Sequence, residues 1–166
     1  MARLILILTC LGFCSTTSAQ FLSPRYSSYA VPHLLYLEVQ GNGTKYSVNY
    51  ENLIVSEENV LLGARFGLGA APIGSNLLQF GVPITISVMA GGNRFFGELG
   101  AGTRVIFDNR VLENGLDIMP TGIAGIRFHP DRSGGIFLKA AYTPYLMEGQ
   151  YFHRAGLAIG IGFDGR

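Results

Sequence analysis

In the stretch Leu37-Glu38-Val39-Gln40-Gly41-Asn42-Gly43-Thr44-Lys45-Tyr46-Ser47-Val48-Asn49-Tyr50-Glu51, apolar and polar residues alternate on both sides of a short interruption rich in glycine and asparagine. Successive side chains of a β-strand point to opposite faces, so this pattern fits two strands and a turn, whereas a helix would repeat every three to four residues. A first strand over Leu34 to Gln40 sets Leu35, Leu37 and Val39 against Tyr36, Glu38 and Gln40. A second, over Lys45 to Leu53, sets Tyr46, Val48 and Tyr50 against Ser47, Asn49 and Glu51. Gly41 to Thr44 is expected to be a tight hairpin turn, because Gly and Asn tolerate the positive φ that such turns use.

The same period runs on to Phe163. Leu62, Ala64, Phe66 and Leu68 oppose Gly63, Arg65, Gly67 and Gly69, and Val82, Ile84, Ile86 and Val88 oppose Thr85 and Ser87. Leu99, Ala101, Val105 and Phe107 then oppose Glu98, Gly100, Gly102 and Arg104. Three more strands repeat it around Ala124-Ile126-Phe128, Ile136-Leu138-Ala140-Tyr142 and Ala155-Leu157-Ile159-Ile161-Phe163, with Ile123 and Phe137 as apolar exceptions on the polar face. About eight strands of roughly ten residues match the smallest transmembrane barrels. The expected fold is therefore all-β: an eight-stranded antiparallel up-and-down transmembrane β-barrel over residues 34–163.

Alternation alone leaves open which face meets solvent. A soluble lipocalin-like binding barrel would turn its apolar face inward and hydrate the other with many charged and hydroxyl side chains. Here the other face is dominated by glycine, a poor soluble surface, and the composition favours a membrane barrel with lipid on its apolar face. The interior would then hold Glu38, Glu51 and Glu98 with Arg65, Arg104, Arg127, Lys139 and Arg154. Charges taken out of water persist only when paired, so a salt-bridge network filling the barrel is expected.

The chain has 166 residues, with 12 basic residues against 11 acidic ones and 14% charged residues. This balance gives no reason to expect a nucleic-acid partner. Arg3, the apolar run Leu4 to Phe13 and the small-residue stretch Thr17-Ser18-Ala19 read as a secretory signal peptide over 1–19, cleaved before Gln20. The apolar run is well short of the roughly 20 residues that a spanning helix needs. Both cysteines, Cys10 and Cys14, lie in that segment, so no thiol is expected in the mature chain. Residues 20–33, rich in Ser, Pro and Tyr, form a lead-in, and Asp164-Gly165-Arg166 a C-terminal tail of 164–166.

If both termini lie in the periplasm, the connections after the odd-numbered strands face outward and should be the longer ones. Ala70 to Gln79, Asp108 to Asp117 and Tyr145 to Tyr151 fit this, and Gly41 to Thr44 is short where length is expected. At the outer rim, His153 and Glu148 are the weak candidates for an enzyme acting on lipid A, a hydrolase or acyltransferase, which would need a histidine beside a carboxylate or hydroxyl. His33 and His129 fall at the opposite rim and share no metal-ligand spacing with His153, so neither a metal nor a cofactor is expected.

The hairpin Leu37 to Glu51, the run Glu98-Leu99-Gly100-Ala101-Gly102 and Gly122 through Thr143 with its turn His129-Pro130-Asp131-Arg132-Ser133-Gly134-Gly135 resemble small, largely uncharacterised Gram-negative outer-membrane β-barrels of the OmpA/OmpX-like kind. The resemblance implies residence in the bacterial outer membrane, contact with outer-membrane lipid and insertion by the barrel-assembly machinery. That machinery recognises an aromatic residue closing the last strand, a position that Phe163 matches. It implies no agreed activity. The role expected is structural or surface-interacting, through an extracellular-loop partner of unknown kind.

Overall fold

A computed structural model describes residues 33–57, 59–73, 77–92, 94–108, 117–130 and 135–163. The signal peptide expected over 1–19, nearly all of the lead-in and the tail 164–166 lie outside the described residues. Ten strands occur among the described residues: β1 (His33–Val39), β2 (Tyr46–Glu57), β3 (Val60–Ile73), β4 (Leu77–Gly92), β5 (Phe95–Asp108), β6 (Asp117–Phe128), β7 (Gly135–Tyr142), β8 (Tyr145–Met147), β9 (Gln150–Phe152) and β10 (Ala155–Phe163). Each long strand pairs antiparallel with its neighbours, and β1 pairs with both β2 and β10, which closes the sheet on itself.

The short strands β8 and β9 prolong the last two barrel strands. Thr121 of β6 pairs with Tyr145 as its neighbour Ala124 pairs with Tyr142, so β8 carries β7 onward past Thr143-Pro144. The β9 strand precedes β10 in the same way, across His153-Arg154, and Thr143 N donates to Arg154 O at 2.8 Å between the two interruptions. Eight strand paths thus enclose the barrel. A two-residue turn, Glu148 (φ 51) and Gly149 (φ 77), joins β8 to β9, the left-handed pair that matches strand twist.

Closure is staggered. From Glu38, pairing one way runs through Ser47, Gly69, Gly81 and Ile106 to Asp117. The other way it runs through Ala158 and Lys139 to Arg127. Both traces end on β6, at its opposite ends, and this stagger is what tilts the strands of a closed barrel and sets its width.

The apolar face points outward. Leu68 (71% exposed), Leu99 (69%) and Leu157 (68%) belong to a belt of exposed aliphatic and aromatic side chains that runs round the wall, while Glu51 opposite them is fully buried. Soluble monomers rarely expose contiguous apolar surface beyond a few hundred Å², so this geometry replaces the soluble lipocalin-like alternative with a lipid-facing one. Rings gather at the belt's edge near the chain ends, where His33 stacks on Tyr50 (5.8 Å) and meets Phe163 (5.7 Å). Others gather at the opposite edge, where Tyr142 stacks on His153 (5.9 Å). Amphipathic rings favour the levels where hydrocarbon gives way to water.

Two expectations need correction. Ala70 to Ile73 and Leu77 to Gln79, expected as loop, are strand, paired Ala70↔Phe80 through Ile73↔Leu77, and residues 74–76 lie outside the described residues. Tyr145 to Tyr151 is likewise mostly hairpin. Glycine and proline there suggested loop, yet continued pairing satisfies backbone groups that a loop would leave to solvent. In the first turn the positive φ belongs to Gln40 (φ 58), outside the expected Gly41–Thr44 turn, and neither Gly41 nor Gly43 has one. Those glycines serve close approach: a Cβ on Gly41 would lie 2.0 Å from Glu38 Cδ, and one on Gly43 2.6 Å from Ser47 Cβ.

A cation on the belt should cost most at mid-depth. Ile86→Arg, midway along β4, is expected to destabilise the barrel in lipid vesicles by about 2–4 kcal/mol, and Tyr151→Arg on the far hairpin by about 0–1 kcal/mol. Denaturant unfolding monitored by tyrosine fluorescence checks the difference.

Candidate functional site

The interior is layered along the barrel axis, and the layers follow from which residues alternate inward. At the end carrying His33 and Phe163, the inward side chains are apolar: Leu34, Tyr36, Leu53, Leu61, Met89, Phe96 and Phe137 form one buried cluster. Phe137, an exception by its polar-face position, is fully buried here, its ring edge-on to Tyr36 at 5.4 Å. Ile123, the other exception, is also buried, deeper in the barrel. His129 opens the connection from β6 to β7 and stacks flat on Phe137 at 5.1 Å. Burial, with the Arg127 guanidinium adding to it, pushes this imidazole down to about 4.

The middle layer is ionic. Arg127 Nε donates to Glu98 Oε2 at 2.7 Å, and its Nη2 donates to Glu98 Oε1 at 2.8 Å and to both Glu51 oxygens at 2.8 and 2.9 Å. Lys139 Nζ donates to Glu98 Oε1 at 2.9 Å. Arg65 sits 3.4 Å from Glu38 Oε2 and donates to the Tyr36 hydroxyl at 3.0 Å. Three cations thus face three carboxylates. Glycine makes the room, since a Cβ on Gly63 would stand 2.3 Å from Glu51 Oε1.

At the far end the β1–β2 connection folds into the barrel mouth. Gly41, Asn42, Gly43 and Thr44 are all buried. The Thr121 hydroxyl, with one proton to donate, lies within reach of two acceptors, Asn42 Oδ1 and Pro144 O (3.1 Å), and Arg104 Nη1 donates to Gly43 O at 3.2 Å. A Cβ on Gly156 would meet Gly41 Cα at 2.5 Å, so the adjoining strand β10 also yields to this connection. Nothing in the sequence marks it as a plug except its shortness, which puts its polar groups within reach of the interior.

Of the eight charged residues expected inside, six form the middle layer: Glu38, Glu51, Arg65, Glu98, Arg127 and Lys139. Arg104 and Arg154 stand apart at the far end, their guanidiniums 4.2 and 5.2 Å from the centre of the Tyr145 ring. Arg104 is 3% exposed and Arg154 half-buried. Among the described residues neither forms an ion pair. Their separation arises from the strand stagger, which alternation does not encode. His153 is exposed and its Nδ1 is bound to the Tyr142 hydroxyl, while Glu148 occupies the β8–β9 turn, also exposed. Phe163 closes β10 against His33.

Two apolar grooves lie on the outside of the barrel. One of 830 Å³ is lined by Leu37, Val39, Val48, Leu68 and Phe80, and one of 550 Å³ by Leu37, Phe95, Ile126, Leu138 and Leu157, all residues of the apolar belt. They are dents in a lipid-facing wall.

No family model matches the chain, and no characterised protein matches it in sequence. Solved structures do match in shape. The N-terminal β-barrel domain of Pseudomonas aeruginosa OprF superposes with a TM-score of 0.53 at 13% identity, over 79% of this chain and 95% of that one. The fold is the outer-membrane eight-stranded barrel. Ail, the attachment invasion locus protein of Yersinia pestis, gives 0.46 at 12% identity over 79% and 93% of the two chains. A de novo designed transmembrane β-barrel gives 0.43 at 15% identity over 79% and 92%. At these identities the OprF superposition speaks for the fold alone, and it agrees with the outward apolar belt.

Arg127→Met leaves the buried Glu51 without its cation and Glu98 with Lys139 alone, and is expected to cost about 3–5 kcal/mol in a guanidinium chloride titration. Lys139→Met leaves Glu98 still bound by Arg127 and should cost clearly less in the same guanidinium titration. His129 contributes a pH dependence of known sign. Its folded value lies below the ordinary 6.5, so its contribution is full above 6.5 and is lost as pH falls towards 4. His129→Phe should flatten the stability profile in that window.

Proposed function

We propose that this protein is an integral outer-membrane barrel of a Gram-negative bacterium whose interior is filled, and whose role is structural or surface-interacting rather than catalytic or conductive. One observation carries the reading: the apolar belt faces out while six paired charges and an inturned connection occupy the inside. An eight-stranded barrel is just wide enough for side chains to fill, and the bonds among the described interior side chains support a filled interior without a continuous water path. Export would use the N-terminal segment 1–19, cleaved after Ala19. Insertion would use the barrel-assembly machinery, with Phe163 as the terminal aromatic. Outer-membrane lipid would surround the belt, and any partner would meet the far-end hairpins.

Catalysis at the far rim would need His153 to activate a nucleophile or water. Its Nδ1 is engaged by Tyr142 and its ring is stacked on that tyrosine, an arrangement that suits a ring anchored at the interface. His153→Ala is expected to leave the lipid A mass spectrum of the host unchanged, and an altered acylation or phosphorylation pattern would restore the enzymatic reading.

The membrane reading predicts that the protein stays in the pellet after alkaline carbonate extraction and migrates faster on gels unless boiled. Release into the carbonate supernatant would sink it. In planar bilayers the purified barrel should show negligible conductance, and stable open channels would contradict the filled interior.

A further inference from the structure

We infer that the far mouth of the barrel is a binding site for a phosphate-class oxyanion, held between Arg104 and Arg154 beside Tyr145. The inference rests on the barrel's own geometry and goes beyond the proposed role.

The first observation is charge. Every cation of the middle layer has a carboxylate, yet the two guanidiniums at the mouth share one tyrosine ring and no ion pair among the described residues. Like charges held close in a buried mouth repel, and a cation with no counter-charge is costly to bury. An aromatic face offsets part of that cost but supplies no net negative charge.

The second is hydrogen bonding. Three buried polar groups at this end have no protein partner: Arg104 Nε, Asn42 Nδ2 and Thr143 Oγ1. All three can donate. Asn42 Oδ1 and the Pro144 carbonyl, next in the chain to Thr143, both lie within hydrogen-bond reach of the Thr121 hydroxyl. Arg104 reaches the same connection through Gly43 O. The middle layer also leaves donors unpartnered, Arg65 Nε and Nη2 and Arg127 Nη1, but it differs in charge: its cations face carboxylates, and the unpartnered acceptors Glu38 Oε1 and Asn49 Oδ1 lie among them, so bridging water can serve both. Unpartnered donors beside two unpaired cations call for an acceptor that carries charge. A tetrahedral dianion supplies two charges and several acceptor oxygens, and the guanidinium fork suits it.

The phosphate could come free from the medium or from the headgroup of a surrounding lipid. The test is calorimetric titration of the purified full barrel in neutral, phosphate-free detergent with inorganic phosphate, repeated with Arg104→Gln, Arg154→Gln and the surface control Lys45→Gln. Saturable binding is expected, weakened about tenfold or more in either arginine variant and unchanged in the control. Arg154 is half-buried, so its variant should fold even if Arg104→Gln does not, and heat-shifted gel mobility verifies this. No saturable binding, or equal binding in Arg154→Gln and the parent, overturns the inference. A parallel arm compares intrinsic tyrosine fluorescence in vesicles of phosphatidic acid and of phosphatidylcholine. An Arg154-dependent difference assigns the oxyanion to lipid, and phosphate binding without one assigns it to a free anion. A barrel that fractionates with membranes yet fails to bind phosphate would reject this site and leave the proposed function standing.

Discussion

Arg127 and the two glutamates that hold it, Glu51 on β2 and Glu98 on β5, are the contact on which the rest of the barrel depends. Glu98 and Arg127 lie on the adjoining strands β5 and β6, but Glu51 comes from β2 across the barrel, so the three meet only when the sheet has closed with its stagger. Each is buried from water, and each would be intolerable alone. The network thus ties the energetics of the interior to one closed arrangement, as buried ion pairs in other settings fix register more than they add stability. Register matters doubly in a barrel, since a one-residue slip would exchange the lipid-facing and inward sets on a whole strand.

Around that contact the interior is graded. The apolar cluster near the chain ends excludes water from one side. The inturned Gly41–Thr44 connection closes the other, where glycines on β3, β4 and β10 leave space for it. A Cβ on Gly69 would stand 2.8 Å from Thr44 Oγ1, one on Gly81 2.7 Å from Thr44 Cγ2, and one on Gly156 2.5 Å from Gly41 Cα. Glycine on the inward face is therefore neither turn chemistry nor flexibility. It is the volume that larger interior groups occupy.

Strand alternation was legible residue by residue, because Leu62 to Gly69 or Ala155 to Phe163 can be sorted into two faces without knowing their neighbours. Less local features were hidden. Phe137 and Ile123 looked like errors in a polar face because alternation says which way a side chain points and nothing about its height in the barrel. The separation of Arg104 and Arg154 from the other six charges has the same origin: partners are chosen by stagger, which only the closed sheet defines. Loop lengths were overestimated at Ala70–Gln79 because Pro72 and the surrounding small residues resemble a loop when read singly, although they remain paired. The first turn misled for another reason. Its glycines suggested positive φ, and what they provide is contact distance.

The central claim is that one face of every strand meets hydrocarbon and the other meets the protein's own side chains. Nitroxide labels at single cysteines replacing Leu37, Leu99, Ile126 and Leu157, in a protein with Cys10 and Cys14 absent or replaced by serine, measure this directly after reconstitution into vesicles. Collision rates with oxygen, which concentrates in hydrocarbon, should exceed those with a water-soluble nickel chelate at all four sites. The reverse order at those sites would contradict the account.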